Sequence, residues 1–202
     1  MKSTWLGGGT VHLIELLRRQ EKRKEIGVPL GSLLMMSVGE LNVNKNHSTV
    51  IRALSQLNDP DIHYVIVGDG NLMSLIKLSR ELDVEGQVHF LGYRKDVADL
   101  YNIADICVFP SIREGLGVAA IEGMASGLPL IASLNRGTRD YADNGINALL
   151  CNCYSPNEFA NAINQLKNCD LRKKMSWLNV EISKHFDVNK VNFELKQIYK
   201  NV

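Results

Sequence analysis

The stretch Pro110-Ser111-Ile112-Arg113-Glu114-Gly115-Leu116-Gly117-Val118 carries the residue types that binding an anion requires. Gly115 and Gly117 strip side chains from a turn that opens onto an apolar helical run. A helix N-terminus aims free N–H groups and a partial positive charge outward, so an anion is the natural ligand there. Glu114 lies in the turn, and Glu122 follows one helical turn behind the N-terminus, on the face of Val118. That spacing puts Glu122 near a cleft rather than in solvent. Carboxylates repel phosphate but accept hydrogen bonds from paired hydroxyls. Anion binding beside hydroxyl binding reads as recognition of a sugar nucleotide. Two plainer readings stay open: Glu114 as a neighbour of a helix cap, and Glu122 as a paired core carboxylate.

A second candidate loop is Ser37-Val38-Gly39-Glu40-Leu41-Asn42-Val43-Asn44-Lys45-Asn46. A glycine at a strand end lets backbone amides approach a phosphate, and Lys45 would add a point charge at the mouth of the next helix. Taken alone the pattern is common after strands and fits a surface lysine better. His47 follows directly, near such a phosphate or simply on the surface. The five histidines share no metal-ligand spacing, and Cys151-x-Cys153 lacks the paired knuckles of a structural zinc site, so no metal is expected.

These loops need elements to hold them. Short apolar runs alternate with helical patterns from Leu33 onward: strands at Leu33–Val38, His63–Val67, Val88–Leu91, Ile106–Phe109, Leu130–Ala132 and Ala148–Cys151. Between them, Val50, Ala53, Leu54 and Leu57 repeat at helical spacing, as do Leu72, Leu75, Ile76 and Ser79. Further helices are expected at Val97–Ile103, from Val118, and two or three times after Pro156. Near-continuous apolar strands alternating with helices predict an α/β fold, a Rossmann-like, doubly wound parallel sheet of about six strands. Ligands of such sheets bind on the loops at the strands' C-terminal ends, where both candidate loops fall.

The chain has 202 residues, 45% of them hydrophobic and 22% charged, which excludes a disordered tail, a collagen or a disulfide scaffold. Its net charge of +1 offers no global field for nucleic acid, so none is expected as a partner. Four thiols in a domain with an ample core suggest a reducing cytosol. The N-terminal MKSTWLGGGTVH has too short an apolar stretch for a signal peptide. Residues 1–29 read as a linker or appended segment with one basic helix, LIELLRRQEKRKEIG, read as a solvated face rather than a membrane-surface element. Residues 30–202 read as one nucleotide-sugar-binding domain.

In order along the chain occur Ser37-Val38-Gly39-Glu40-Leu41, Ile66-Val67-Gly68-Asp69-Gly70, Phe90-Leu91-Gly92-Tyr93, Ala104-Asp105 and Phe109-Pro110-Ser111. Glu114-Gly115-Leu116 and Glu122-Gly123-Met124-Ala125-Ser126-Gly127-Leu128-Pro129 follow. From about Leu30 to Phe186 and Ile198-Tyr199, this set resembles the C-terminal, donor-binding half of family 4 retaining glycosyltransferases of the GT-B fold. It is most similar to bacterial capsule and exopolysaccharide transferases. The resemblance implies that Glu114 contacts the donor sugar and Glu122 the ribose. It implies that Lys45 and the Gly39 backbone, with Glu40 beside them, meet the donor diphosphate. Tyr93 and Arg94 would lie near the base, and Leu116, Gly117 and Val118 would offer amides to the diphosphate. The implied donor is a UDP-sugar carrying a hexose, and the implied acceptor a saccharide or a lipid-linked one. An N-terminal acceptor-binding domain would complete the cleft, without metal or other cofactor. The place implied is the cytoplasm, with peripheral association at the inner membrane face open to the full-length enzyme.

Three departures stand out. Glu40 occupies the position of an arginine that usually partners the lysine, so Arg113 or another residue would have to compensate. Gly117 and Gly123 replace the more usual proline and alanine, and Gly123 inside a helix loosens it by roughly 1 kcal/mol. The acceptor-binding domain is absent from these residues. A sugar-nucleotide epimerase, a phosphorylase half and a non-catalytic nucleotide-sugar-binding module are the rival readings. A nicotinamide fingerprint is excluded, because Gly39-Glu40-Leu41 does not supply its glycines.

Overall fold

The computed structural model describes residues 8–187, with side chains from residue 13. The expected Ile198-Tyr199 pattern lies outside the described residues. Six strands form one sheet: β1 (Leu33–Val38), β2 (Ile62–Val67), β3 (Val88–Gly92), β4 (Ile106–Phe109), β5 (Leu130–Ser133) and β6 (Ala148–Cys151). All neighbouring pairs are parallel, in the order β3-β2-β1-β4-β5-β6. The winding reverses between β1 and β4, which leaves a crevice beyond their C-terminal ends. The doubly wound sheet expected from the sequence is the one found.

Helices α1 (Gly8–Glu25), α2 (His47–Leu57), α3 (Leu72–Glu81), α4 (Val97–Ile103), α5 (Val118–Ala125), α6 (Pro156–Gln165) and α7 (Cys169–Ser183) complete the layers. Two cores sandwich the sheet. One packs Met35, Tyr64 and Ile66 against Val50, Ile51 and Leu54 of α2 and Phe159 and Ile163 of α6. The other packs Leu34, Met36, Val65 and Val67 against Leu100 of α4 and Ala120 and Met124 of α5. Strand residues alternate between these cores because successive side chains leave opposite faces.

Gly123 has a packing role beside its cost to the helix. A Cβ there would stand 2.6 Å from Cys107 Sγ and 2.9 Å from Cys107 Cβ, so the missing side chain lets α5 press onto β4. The basic helix also differs from its expected solvated face. Arg23 of α1 is buried and donates to Ile103 O, Ser32 O and Asp105 Oδ2, while Arg19 pairs with Asp105 and Lys22 with Asp96 and Glu25. Asp105 also accepts from Leu34 N at 2.7 Å, which ties α1 to the start of β1. The reason is the guanidinium's fork of donors, whose five hydrogen bonds to four acceptors form only if the helix docks. What α1 leaves exposed is mixed: Leu13, Ile14, Leu16 and Leu17 stand beside Glu15, Arg18, Gln20, Glu21 and Lys24.

Candidate functional site

The loops after β1 and β4 meet at the crevice, and three asparagines make the junction. Asn44 accepts from Ile112 N through its backbone and from Arg113 N through Oδ1, and its Nδ2 donates to Arg113 O at 3.0 Å. Asn46 takes the left-handed conformation, φ 55°, at the start of α2. Its Nδ2 donates to Pro110 O (3.2 Å) and Cys153 O (2.7 Å), binding the loops of β1, β4 and β6 together. Asn42 Oδ1 accepts from Lys45 N at 2.9 Å. Small amide side chains favour such local turns.

Lys45 is thereby aimed across the crevice. Its Nζ donates to the Glu114 carboxylate and lies 5.3 Å from the centroid of the Phe109 ring. Gly39 makes room for that side chain, since a Cβ there would lie 3.3 Å from Lys45 Cδ and Cε. Gly39 itself is held by Gly68, whose missing side chain admits the Gly39 carbonyl; a Cβ would stand 2.1 Å from it. Three predicted site residues, Gly39, Lys45 and Glu114, are thus brought into one contact cluster. Glu114 does not cap the helix.

The turn into α5 follows. Gly117 adopts φ 69°, where a Cβ would collide with Tyr141 Oη at 2.6 Å and Phe109 Cε1 at 2.9 Å. Proline, locked near −65°, could not take that conformation, so the replacement of proline by glycine comes with a different backbone. The amides of Leu116, Gly117, Val118 and Ala119 make no hydrogen bond among the described residues. Val118 and Glu122 share the exposed face of α5, opposite Ala120, Ile121 and Met124. The Glu122 carboxylate stands in solvent, contrary to the expectation from its spacing, because its face of α5 is covered by no other described element. Without a hydrogen bond or ion pair among the described residues, it is not a paired core carboxylate either.

The other predicted residues lie apart from this cluster. Glu40 is exposed and accepts from Asn42 Nδ2 at 2.9 Å. Tyr93 is exposed and hangs its backbone N–H on Asp69 Oδ1 at 3.0 Å. Arg94 is committed elsewhere: its guanidinium donates to Asp96 Oδ1 and Oδ2 and to Glu25 Oε1, and these bonds hold the Asp96 carboxyl well below the usual carboxylate range. Arg113 has its backbone pinned by Asn44 and its side chain in solvent.

His47 is not a surface histidine. It is 2% exposed and its Nδ1 lies 3.0 Å from Tyr64 Oη, which lies 2.7 Å from Ser37 Oγ, which donates to Val108 O. The carbonyl fixes the direction of every proton in this chain: Ser37 donates to it, Tyr64 to Ser37, and His47 Nδ1–H to Tyr64. Nε2 then carries the lone pair, and it finds no hydrogen-bond partner among the described residues. Burial, helped by the charge of Lys45 and opposed by the Glu40 carbonyl, holds the imidazole pKa down to about 4.

Sequence reasoning missed the third wall. In the loop after β5, Asn135 Nδ2 donates to Ser111 O at 3.0 Å, and a Cβ on Gly137 would stand 2.4 Å from Gly115 O. Both residues hold the Glu114 turn from behind. Tyr141, also missed, buries a hydroxyl without a hydrogen-bond partner among the described residues beneath Gly117. The signal for the asparagines was their alternation around Lys45. Nothing local marked Gly137 or Tyr141. A groove of about 940 Å³ between α1 and α4 holds none of these residues. Among the described residues, no three His, Cys, Asp or Glu side chains gather as metal ligands, and no helix is long and apolar enough to cross a membrane.

A sequence model of the glycosyl transferases of group 1 matches residues 18–177. The chain belongs to that family. This group 1 glycosyl transferase chain is 34% identical over 153 residues to the putative glycosyltransferase EpsD of Bacillus subtilis, covering 74% of this chain and 40% of that protein. It superposes on Anabaena Alr3699/HepE, crystallised with UDP and glucose, with a TM-score of 0.86 at 24% identity, over 92% of this chain and 52% of that one. It also matches the C-terminal domain of a group 1 glycosyl transferase (LpcC) from Francisella tularensis, with a TM-score of 0.75 at 21% identity, over 86% of this chain and 93% of that domain. At these identities the structural likeness is one of fold, and the fold is that of one half of a GT-B enzyme. The chain spans about half or less of the length of EpsD and HepE.

Proposed function

We propose that this group 1 glycosyl transferase chain is the donor-binding half of a retaining enzyme that transfers a hexose-type sugar from a nucleotide sugar, a UDP-sugar first. The observation that carries this reading is the contact of Lys45 with Glu114 at the switch point, directly before the free amides at the start of α5. A cation and open amides suit a diphosphate, and carboxylates suit hydroxyls. Lys45, the Gly39 backbone and the amides of Leu116, Gly117 and Val118 hold the diphosphate. They offset the charge that builds on the leaving phosphate as the sugar departs. Glu114 takes the sugar hydroxyls, Glu122 the ribose, and Tyr93 flanks the base. Arg94, held by Asp96 and Glu25, reaches the base only if those pairs open. The site works without a metal ion. Complexes of HepE with UDP and with UDP-glucose support the choice of uridine. Retention is taken from the family resemblance, with attack on the face the phosphate leaves.

The acceptor, a saccharide or a lipid-linked one, belongs to a second domain that closes over the strands' C-terminal edge. What supports this is the edge itself, where every strand is followed by an exposed apolar side chain: Val43, Met73, Tyr93, Leu116, Leu134 and Tyr154. Six such side chains after the strands, along one edge of the sheet, are what a covering domain would bury. Bacterial polysaccharide assembly in the cytoplasm, at the inner membrane face, is the setting that fits. Calorimetric titration with UDP-, GDP- and ADP-sugars, with and without a chelator, tests the reading. One of the sugars should bind, and binding should survive the chelator; no heat from any of them would refute it.

A further inference from the structure

Lys45 is already occupied. Its ammonium sits on the Glu114 carboxylate, with side chains only 22% and 14% exposed, and no other hydrogen-bond donor reaches that carboxylate among the described residues. A diphosphate that takes Lys45 therefore strips Glu114 of its counter-charge in a place that water reaches poorly. Removing one partner of such a pair is penalised more than the pair itself is worth. The two ligands of the site differ in what they give back. A nucleotide sugar brings hydroxyls that donate to the vacated carboxylate. A nucleoside diphosphate has only its ribose hydroxyls, which Glu122 takes, and none to offer Glu114.

Resting on the nucleotide-sugar reading above, we infer that Glu114 competes with the phosphates for Lys45 and so determines specificity for the donor over the spent nucleoside diphosphate. With donor bound, Lys45 holds phosphate and Glu114 holds sugar. Once the sugar has left, the carboxylate loses its donors and reclaims Lys45, which weakens the hold on the diphosphate. Glu114 thus acts in two ways, by contact with the sugar and by withdrawal of the lysine.

The opposed effect on the two ligands is the test. Titrations use UDP, GDP and ADP, each bare and as its glucose derivative, on the wild-type chain, Glu114→Gln and Glu114→Asp. Glu114→Gln keeps the shape and removes the charge, so the bare diphosphate should bind about threefold to tenfold more tightly, the worth of a partly exposed ion pair. The sugar derivative should gain nothing or lose, and the ratio of the two affinities should fall. Glu114→Asp keeps the charge but shortens its reach, and should lie between. Unchanged or weaker binding of the bare diphosphate in both variants overturns the inference. No binding of any ligand to the wild type would instead overturn the nucleotide-sugar reading, and the inference with it.

Discussion

Glu122 and Glu114 are the two carboxylates at the turn into α5, and their surroundings differ. Glu114 is held by Lys45, whereas Glu122 projects from the exposed face with no partner among the described residues. A free carboxylate one turn into a helix is suited to a vicinal pair of hydroxyls, and a ribose is common to the nucleoside diphosphate and the nucleotide sugar. Glu122→Ala should therefore weaken both ligands alike, by roughly 1.5–3 kcal/mol or about tenfold to a hundredfold in Kd. Calorimetry on the two ligands reads this directly. Loss confined to the sugar derivative would move Glu122 from the ribose to the sugar.

At the scale of elements, α5 must reach the crevice while lying flat on β4. Gly123 allows this because Cys107 fills the space its side chain would take. Gly123→Ala brings a better helix former, worth about 1 kcal/mol. The overlap with Cys107 should outweigh that gain and leave a net loss of about 1–2 kcal/mol. In a Cys107→Ala background the sulfur is gone and part of that loss should disappear. Urea unfolding of the four proteins measures the coupling, and strictly additive losses would show that the two residues do not compete for space.

The stability of the whole molecule should depend on acid through its buried histidines. Burial holds His47 and His89 down to about 4 and also lowers His63, which lies 2.9 Å from His89 across β2 and β3. The unfolded chain takes up the protons of His47 and His89 near pH 6.5, and the folded one resists until about pH 4. The stabilisation is therefore complete above pH 6.5 and is lost as pH falls from there to about 4, with up to about 3 kcal/mol assigned to His47. Melting temperature should drop across that window. His47→Gln keeps a donor for Tyr64 and should flatten the slope; an unchanged slope would assign the effect to the other groups. At the same scale, a half-cleft binds without turning over: these residues should bind a nucleotide sugar yet transfer none of it to a saccharide or lipid acceptor. Adding the acceptor-binding half should restore transfer, and robust turnover by this chain alone would disprove the division of labour.

The order of the elements and the two loops that matter were determined by local sequence. Apolar runs of four to six residues between helical repeats admit little besides a parallel sheet covered on both faces. Gly39, Lys45 and Glu114 followed from residue type at strand ends. Their contact did not, because 69 residues separate Lys45 from Glu114 and only the reversal between β1 and β4 joins them. The same holds for Gly137 behind Gly115 and for Cys107 under Gly123, where a side chain's absence has meaning only against the atoms it faces. Arg23 and Arg94 look like free cations in sequence; the docking of α1 brings Arg23 to Asp105 and adds Glu25 to the local Asp96 partner of Arg94. His47 is two residues from Lys45 and still buried and neutral, since burial belongs to the packed layers and not to a residue's neighbours in the chain.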